Sequence, residues 1–251
     1  MKLLLFDVDG TLVLTAGSAV RAMDQAFFEN FGVRGAFDHV PMPGRTDGAI
    51  LNDAFVRAVP QSQILADAMS ATGVQATDDH VAAFKSAYFA CFASEITQPV
   101  IDAPGVPGRH RFKGVLPGVR PLLDALSGRD DVFLALLTGN YEQGARIKLE
   151  YFDLWHYFRC GAFGDDAHDR NDLVPVAMTR ARACGCGVVP AEDVIVIGDT
   201  PLDVACARHS GVSCVAVATG GYTVEQLRAA GADVVFQTLA DTDALVKALA
   251  G

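Results

Sequence analysis

Two aspartates two residues apart, Asp7 and Asp9, close the apolar run Leu3-Leu4-Leu5-Phe6 and lead into Gly10-Thr11. A short apolar run bounded by glycine reads as a strand buried on both faces, and such strands occur mainly in parallel sheets covered by helices. Ligands of those sheets sit beyond the carboxyl ends of the strands, where this pair falls. Alternation along an extended chain points both carboxylates to one side. Like charges so placed repel unless a cation or a shared proton compensates them. Asp also caps turns and helices, but the pair with Gly10-Thr11 behind it favours chemistry over capping.

Two further apolar runs end in polar groups. Phe133-Leu134-Ala135-Leu136-Leu137 runs into Thr138-Gly139-Asn140 and then a helix. A hydroxyl, a flexible glycine and the first amides of a helix make an anion cradle, and an ordinary N-cap accounts for the same letters. Val194-Ile195-Val196-Ile197 ends in Gly198-Asp199-Thr200-Pro201-Leu202-Asp203, with one acid at the strand end and the other at a helix start. Four carboxylates converging on one sheet edge need a hard divalent cation, and oxygen-only ligands favour Mg²⁺ over zinc or copper.

The elements that must position these residues follow from pattern. Buried strands are expected from Leu3 and over 132–137, 194–197, 214–217 and 234–236. Helices over 119–126, 141–151, 173–184, 203–209, 223–230 and 242–249 alternate with them. That alternation predicts an α/β fold with a parallel sheet and right-handed crossovers. Between Thr11 and Pro117 the rhythm changes to helices over 18–31, 47–59, 61–71 and 78–94, without a strand among them. These read as a small inserted bundle. Segment 97–117 is rich in Pro and Gly and carries Arg109, His110, Arg111 and Lys113; it reads as a solvated linker, or as a basic loop facing an anionic substrate. Trp155, Tyr151, Phe152, Tyr157 and Phe158 read as core packing.

Composition bounds the class. A chain of 251 residues that is 51% hydrophobic and 20% charged is not disordered. Its net charge of −10 argues against a nucleic-acid or anionic-membrane surface, though not against a small anionic substrate met by local cations or a metal. The first apolar run stops at Asp7, so it is no signal peptide, and no apolar stretch reaches the length of a membrane span. The six cysteines match neither a zinc ribbon nor a disulfide framework and read as reduced thiols of a cytoplasmic protein. The six histidines form no cluster.

The trio FDVDGT, LLTGN and GDTPLDV, in this order and spacing, resembles the haloacid dehalogenase superfamily, in its phosphoglycolate-phosphatase-like branch with a helical cap after the first strand. The resemblance implies a Rossmann-like three-layer core with strand order 5-4-1-2-3, built from 1–14 and 116–251. It also implies a cap over 15–96, a return linker over 97–115, and Mg²⁺-dependent phosphoryl transfer from a small phosphate ester. Asp7 resembles the nucleophile, which forms an aspartyl phosphate and binds the metal. Asp9 resembles the general acid and base, its backbone carbonyl a further metal ligand. Members that cleave carbon–halogen bonds lack an acid at the Asp9 position, so phosphate esters are expected. Thr138 and the amides of Gly139 and Asn140 would hold the phosphoryl oxygens. Asp199 would complete the metal site and Asp203 support it.

The superfamily also expects a lysine in a Lys-Pro pair, which this chain lacks. Lys148 is favoured as the phosphate-binding cation, and Arg170, in the region where that lysine should lie, is the alternative. On the cap, Arg45 and Thr46 in Pro43-Gly44-Arg45-Thr46-Asp47 would touch substrate, Arg45 suiting an anionic tail; a surface arginine and a helix cap explain the same letters. A phosphosugar mutase with the same acids is the nearest rival reading, and a non-catalytic receiver-like domain the distant one.

Overall fold

Alternate residues of the buried strands point to opposite faces, and different helices fill the two sides. The structure, a computed structural model, describes residues 1–58, 77–100 and 112–251. The helix expected over 61–71, the last residue of the one expected over 47–59, and Arg109, His110 and Arg111 lie outside the described residues.

Six parallel strands form the main sheet: β1 (Lys2–Phe6), β4 (Val132–Leu137), β5 (Gly161–Ala162), β6 (Val194–Gly198), β7 (Ser213–Val217) and β8 (Val234–Phe236), in the order β5-β4-β1-β6-β7-β8. Leu4 and Phe6 of β1, Leu134 and Leu136 of β4, and Ile195 and Ile197 of β6 share one apolar cluster. On that face pack α4 (Val119–Ser127), α5 (Glu142–Tyr151) and α9 (Thr242–Ala250). Leu3 and Leu5, Phe133 and Ala135, and Val194 and Val196 point the other way, against α6 (Leu173–Ala181), α7 (Pro201–His209) and α8 (Val224–Ala230). These are the three layers and central β1 that the sequence implies, with the sixth strand beyond the five-strand order. The short edge strand β5 was not expected. The helix expected over 173–184 ends at Ala181 and passes into a wide turn over Arg182–Cys186, where Gly185 is left-handed at φ 96°.

One expectation is corrected. The span between Thr11 and Pro117 does contain strands: β2 (Val13–Thr15) and β3 (Lys113–Val115) pair antiparallel, Val13 opposite Val115 and Thr15 opposite Lys113. They are three residues each, too short to register as a period, and they carry the chain out to the helices and back. Lys113 is therefore a strand residue and not free linker. Its ammonium donates to the carbonyls of Ile96 (2.9 Å) and Gln98 (2.6 Å).

Between the two strands, α1 (Ser18–Phe31), α2 (Asp47–Ala58) and α3 (Asp78–Glu95) close around their own apolar cluster. Phe27 is its centre: its ring lies 4.8 Å from Phe31, 5.7 Å from Phe37, 5.1 Å from Phe55 and 6.2 Å from Phe84. Among the aromatics expected in the core, Phe158 is buried in the sheet-face cluster of Leu4 and Phe6, and Trp155, Phe152 and Tyr157 pack partly buried against that cluster. Tyr151 is exposed. All six cysteines are free, and no described helix is long and apolar enough to cross a membrane.

Because the helical unit has its own core, Phe27→Ala is expected to cost about 3–5 kcal/mol in urea unfolding. A loss below about 1 kcal/mol would show that this aromatic cluster does not hold the unit together.

Candidate active site

The carboxyl ends of β1, β4 and β6 meet at one edge. Asp7 extends the ladder by one residue, its N–H donating to the Ile197 carbonyl at 2.9 Å, and its side chain is buried. The turn then reverses through Gly10 at φ 84°, whose carbonyl accepts from the Thr219 hydroxyl (2.5 Å). A Cβ on Gly10 would lie 2.5 Å from Asp199 Oδ2, so only glycine lets the turn close over that acid.

Arg170 organises the buried side of this edge. Its Nη2 donates to Asp7 Oδ1 (2.8 Å), Asp203 Oδ1 (2.5 Å) and the Leu137 carbonyl (3.2 Å), while Nη1 reaches the Gly44 carbonyl (3.2 Å). Asp203 is fully buried. Its other oxygen accepts from the backbone N–H (2.9 Å) and hydroxyl (2.7 Å) of Thr200, the capping box that opens α7. Both oxygens of Asp203 are thus engaged in holding structure. Asp199 is buried with one long contact, from the Thr11 hydroxyl at 3.4 Å.

Desolvation dominates the electrostatics. Burial pushes the Asp7 carboxyl up to about 7, with Arg170 pulling the other way. Burial, reinforced by repulsion from Asp7 and Asp203, lifts Asp199 well above the carboxylate range. Burial also opposes the charge on Arg170, but Asp203 and Asp7 outweigh it and the guanidinium holds its proton more firmly than usual. Carboxylate oxygens of Asp7, Asp199 and Asp203 lie within 4.8 Å of one another, three buried acids facing one buried guanidinium. That excess of negative charge on an oxygen-only donor set fits a divalent cation.

A second group stands on the cavity side. Lys148 is only 3% exposed, and its Nζ donates to Asp9 Oδ2 at 2.5 Å and to Asn140 Oδ1. Asn140 Nδ2 donates to the same Asp9 oxygen at 2.8 Å. An ammonium has no acceptor, so Lys148 fixes the amide with its oxygen inward and its NH₂ toward Asp9. Of the two candidate cations, the structure thus brings both to the site, Arg170 against Asp7 and Lys148 against Asp9.

The cradle residues differ among themselves. Gly139 and Asn140 line the cavity, whereas Thr138 is fully buried and its Oγ1 accepts from the Asn140 N–H at 3.3 Å. A Cβ on Gly139 would sit 2.0 Å from the Arg45 carbonyl, so the helical unit touches this loop backbone to backbone. Asp47 N–H donates to the Gly139 carbonyl (2.6 Å), and Asp47 Oδ2 accepts from the Tyr141 N–H (2.9 Å). Thr46 bonds the His168 carbonyl (2.8 Å) and caps α2 through the Ala49 N–H (3.2 Å), away from the cavity wall. Arg45 does line the wall, with Nη1 bound to Asp53 (2.8 Å) and the Pro41 carbonyl (3.0 Å). The sequence reading missed Asp47 as anything but a helix cap, and it credited Asn140 with an amide rather than a side chain. A helix-start acid looks the same in sequence whether it caps or bridges.

The cavity between sheet edge and helical unit measures about 500 Å³ and includes Asp7, Asp9, Asn140, Lys148, Arg170 and Asp199 in its wall. That volume lies within the range of small-molecule sites.

With this geometry in place, the comparisons assign the class. Residues 1–211 match the haloacid dehalogenase-like hydrolases, and the chain belongs to that family. It is 30% identical over 98% of its length, and 94% of the relative's, to a protein named "Probable phosphatase IndB" from Dickeya dadantii. It is 29% identical to the phosphoglycolate phosphatase of Rhodospirillum rubrum, covering 95% of this chain and 88% of that one. The fold matches a hydrolase from Pseudomonas syringae at TM-score 0.64 (22% identity, all of both chains). It also matches CbbY from Rhodobacter sphaeroides, solved with phosphate, at TM-score 0.65 (18% identity, 96% of both chains). The chain is accordingly an enzyme of the phosphatase type, a hydrolase of phosphoric monoesters.

Two outcomes follow from the charge balance. Arg170→Met leaves Asp7 and Asp203 buried without their cation and should cost about 3–5 kcal/mol in denaturant unfolding under chelator; a neutral effect would remove Arg170 from its central place. Burial raises Asp47 from 3.8 to about 7, despite the opposing charge of Lys148 and the Tyr141 N–H. The folded state therefore binds this proton more tightly than the unfolded one, and its contribution is full below about pH 4 and lost as pH rises through about 7. Relative to Asp47→Asn, the natural protein should lose stability across that window by at most roughly 1.4 kcal/mol per pH unit. Parallel pH profiles for the two proteins would contradict this.

Proposed function

We propose that the chain is a Mg²⁺-dependent phosphatase that hydrolyses a small phosphomonoester through phosphorylated Asp7, with 15–96 acting as cap, 97–115 as the return linker, and 1–14 with 116–251 as the catalytic core. The observation that carries the reading is the separation of the two acids. Asp7 is buried and bound by Arg170 through Oδ1 alone, whereas the side chain of Asp9 is 41% exposed and held by Lys148 and Asn140 through Oδ2. Each keeps an oxygen without a hydrogen bond among the described residues.

In the first step Asp7 Oδ2 forms a bond to phosphorus while the bond to the alcohol oxygen breaks, and Asp9 gives that oxygen its proton. In the second, Asp9 takes a proton from a water whose oxygen attacks the phosphorus, releasing phosphate and restoring Asp7. Asp7, Asp199 and the Asp9 carbonyl would hold Mg²⁺, with Asp203 supporting from behind. When bound, the ion supplies the positive charge that lets a carboxylate approach a phosphate dianion. Lys148 and the amides of Gly139 and Asn140 bind phosphoryl oxygens, Thr138 fixing the cradle from beneath. Arg170 holds Asp7 in line and adds charge. The named phosphatases among the relatives support this chemistry. Six free cysteines suit a reducing cytoplasm.

Phosphate release from a panel of esters should require Mg²⁺ and stop with chelator. Asp7→Asn should fall to background with its fold intact, and Asp9→Asn should lose about 10²–10⁴-fold. Activity kept by Asp7→Asn, or phosphate moved within the substrate without release, would overturn the proposal.

A further inference from the structure

The wall of the cavity is divided by element. The sheet side contributes Asp7, Asp9, Asp199, Lys148 and Arg170; the apolar part of the wall, from the helical unit and β2, includes Leu14, Met23, Phe37, Val40, Met42 and Ile50. Met23, Phe37, Val40 and Ile50 belong to the buried aromatic cluster of the helical unit, so this surface is as firmly packed as a core. With the phosphoryl group on the sheet edge, as the function proposed above requires, the alcohol part of the substrate meets this apolar surface.

The polar side chains on that part of the wall offer little to an anion. Arg45 is its one Arg or Lys among the described residues, and its guanidinium is bound to Asp53, the Pro41 carbonyl and, at 3.4 Å, the Ala49 carbonyl. Asp47 is engaged with Tyr141. Tyr88 is 1% exposed and has no hydrogen-bond partner among the described residues, which leaves an uncharged hydroxyl at the wall. Asp38 and His39 are exposed at the mouth beside Val20, and there Asp38 adds negative charge. Among the described residues, a carboxylate or second phosphate on the alcohol would lose its hydration here without a free Lys or Arg to meet it. A cavity of about 500 Å³ also leaves most of its apolar surface untouched by a two-carbon ester.

We infer that the substrate is the phosphate monoester of an uncharged, mainly apolar alcohol larger than glycolate, and not a carboxylated or bisphosphorylated one. This rests on the phosphatase reading and adds the substrate class. The test compares matched pairs: hexyl phosphate against 6-phosphooxyhexanoate, and 2-phenylethyl phosphate against phosphoglycolate, with glucose 6-phosphate as the polyhydroxylated control. The uncharged apolar esters should lead in kcat/KM by at least about tenfold. Calorimetric binding of the same esters to Asp7→Asn with Mg²⁺ should show the same order without relying on turnover. Val20→Lys, which places a cation at the exposed rim, should narrow the gap toward the carboxylated esters. Phosphoglycolate or glucose 6-phosphate turned over and bound as well as the apolar esters would overturn the inference. The binding order with no turnover of any ester would uphold the substrate class and overturn the phosphatase reading alone.

Discussion

One buried guanidinium holds the active edge together. Arg170 joins the acid at the end of β1, the acid in the first turn of α7, the last carbonyl of β4 and the Gly44 carbonyl of the helical unit. Three carboxylates taken out of water beside one another would push the strand ends apart, and a single fork of donors binds two of them from the protein side. What remains is an excess of negative charge on Asp7 and Asp199, the property a divalent cation compensates. The same guanidinium spans the boundary between sheet and helices, so the state of Asp7 and the seating of the Pro43–Asp47 loop are physically linked.

Across the cavity a separate arrangement serves Asp9. Lys148 and Asn140 meet one of its oxygens from helix and loop and leave the other without a hydrogen bond among the described residues. Two cations of different shape thus stand against two acids of different exposure. A planar fork suits two buried carboxylates, and a compact ammonium with a spare donor suits a single half-exposed carboxylate at the cavity wall. The departure from the Lys-Pro pair expected of the family reads in this light. An arginine in that region bonds Asp7 and Asp203 at once, and the lysine has its own place on α5.

Much of this was legible in the residues. The strands β1, β4 and β6 are apolar runs with a polar break at the carboxyl end, and their acids and Thr138 fall at those breaks. What escaped had no one-dimensional signature. β2, β3 and β5 are two or three residues long, too short to show a period, and are defined by their partners in the folded chain. The sequence favours Lys148 over Arg170, yet both reach the site, because each meets a different acid across 139 and 163 residues of chain. Arg45 looked available for an anion until Asp53, eight residues on, was found bound to it. The role of Asp47 required the contact with Tyr141 that only the packed interface supplies.

The central claim is that Asp7 carries the phosphoryl group between two half-reactions. The most direct measurement is peptide mapping by mass spectrometry after rapid acid quench of the enzyme turning over a phosphate ester with Mg²⁺, with Asp9→Asn used to slow the second step. The account predicts a phosphoryl group on the peptide that contains Asp7. Turnover with that peptide unmodified at every quench time, or with the label on another residue, would contradict it.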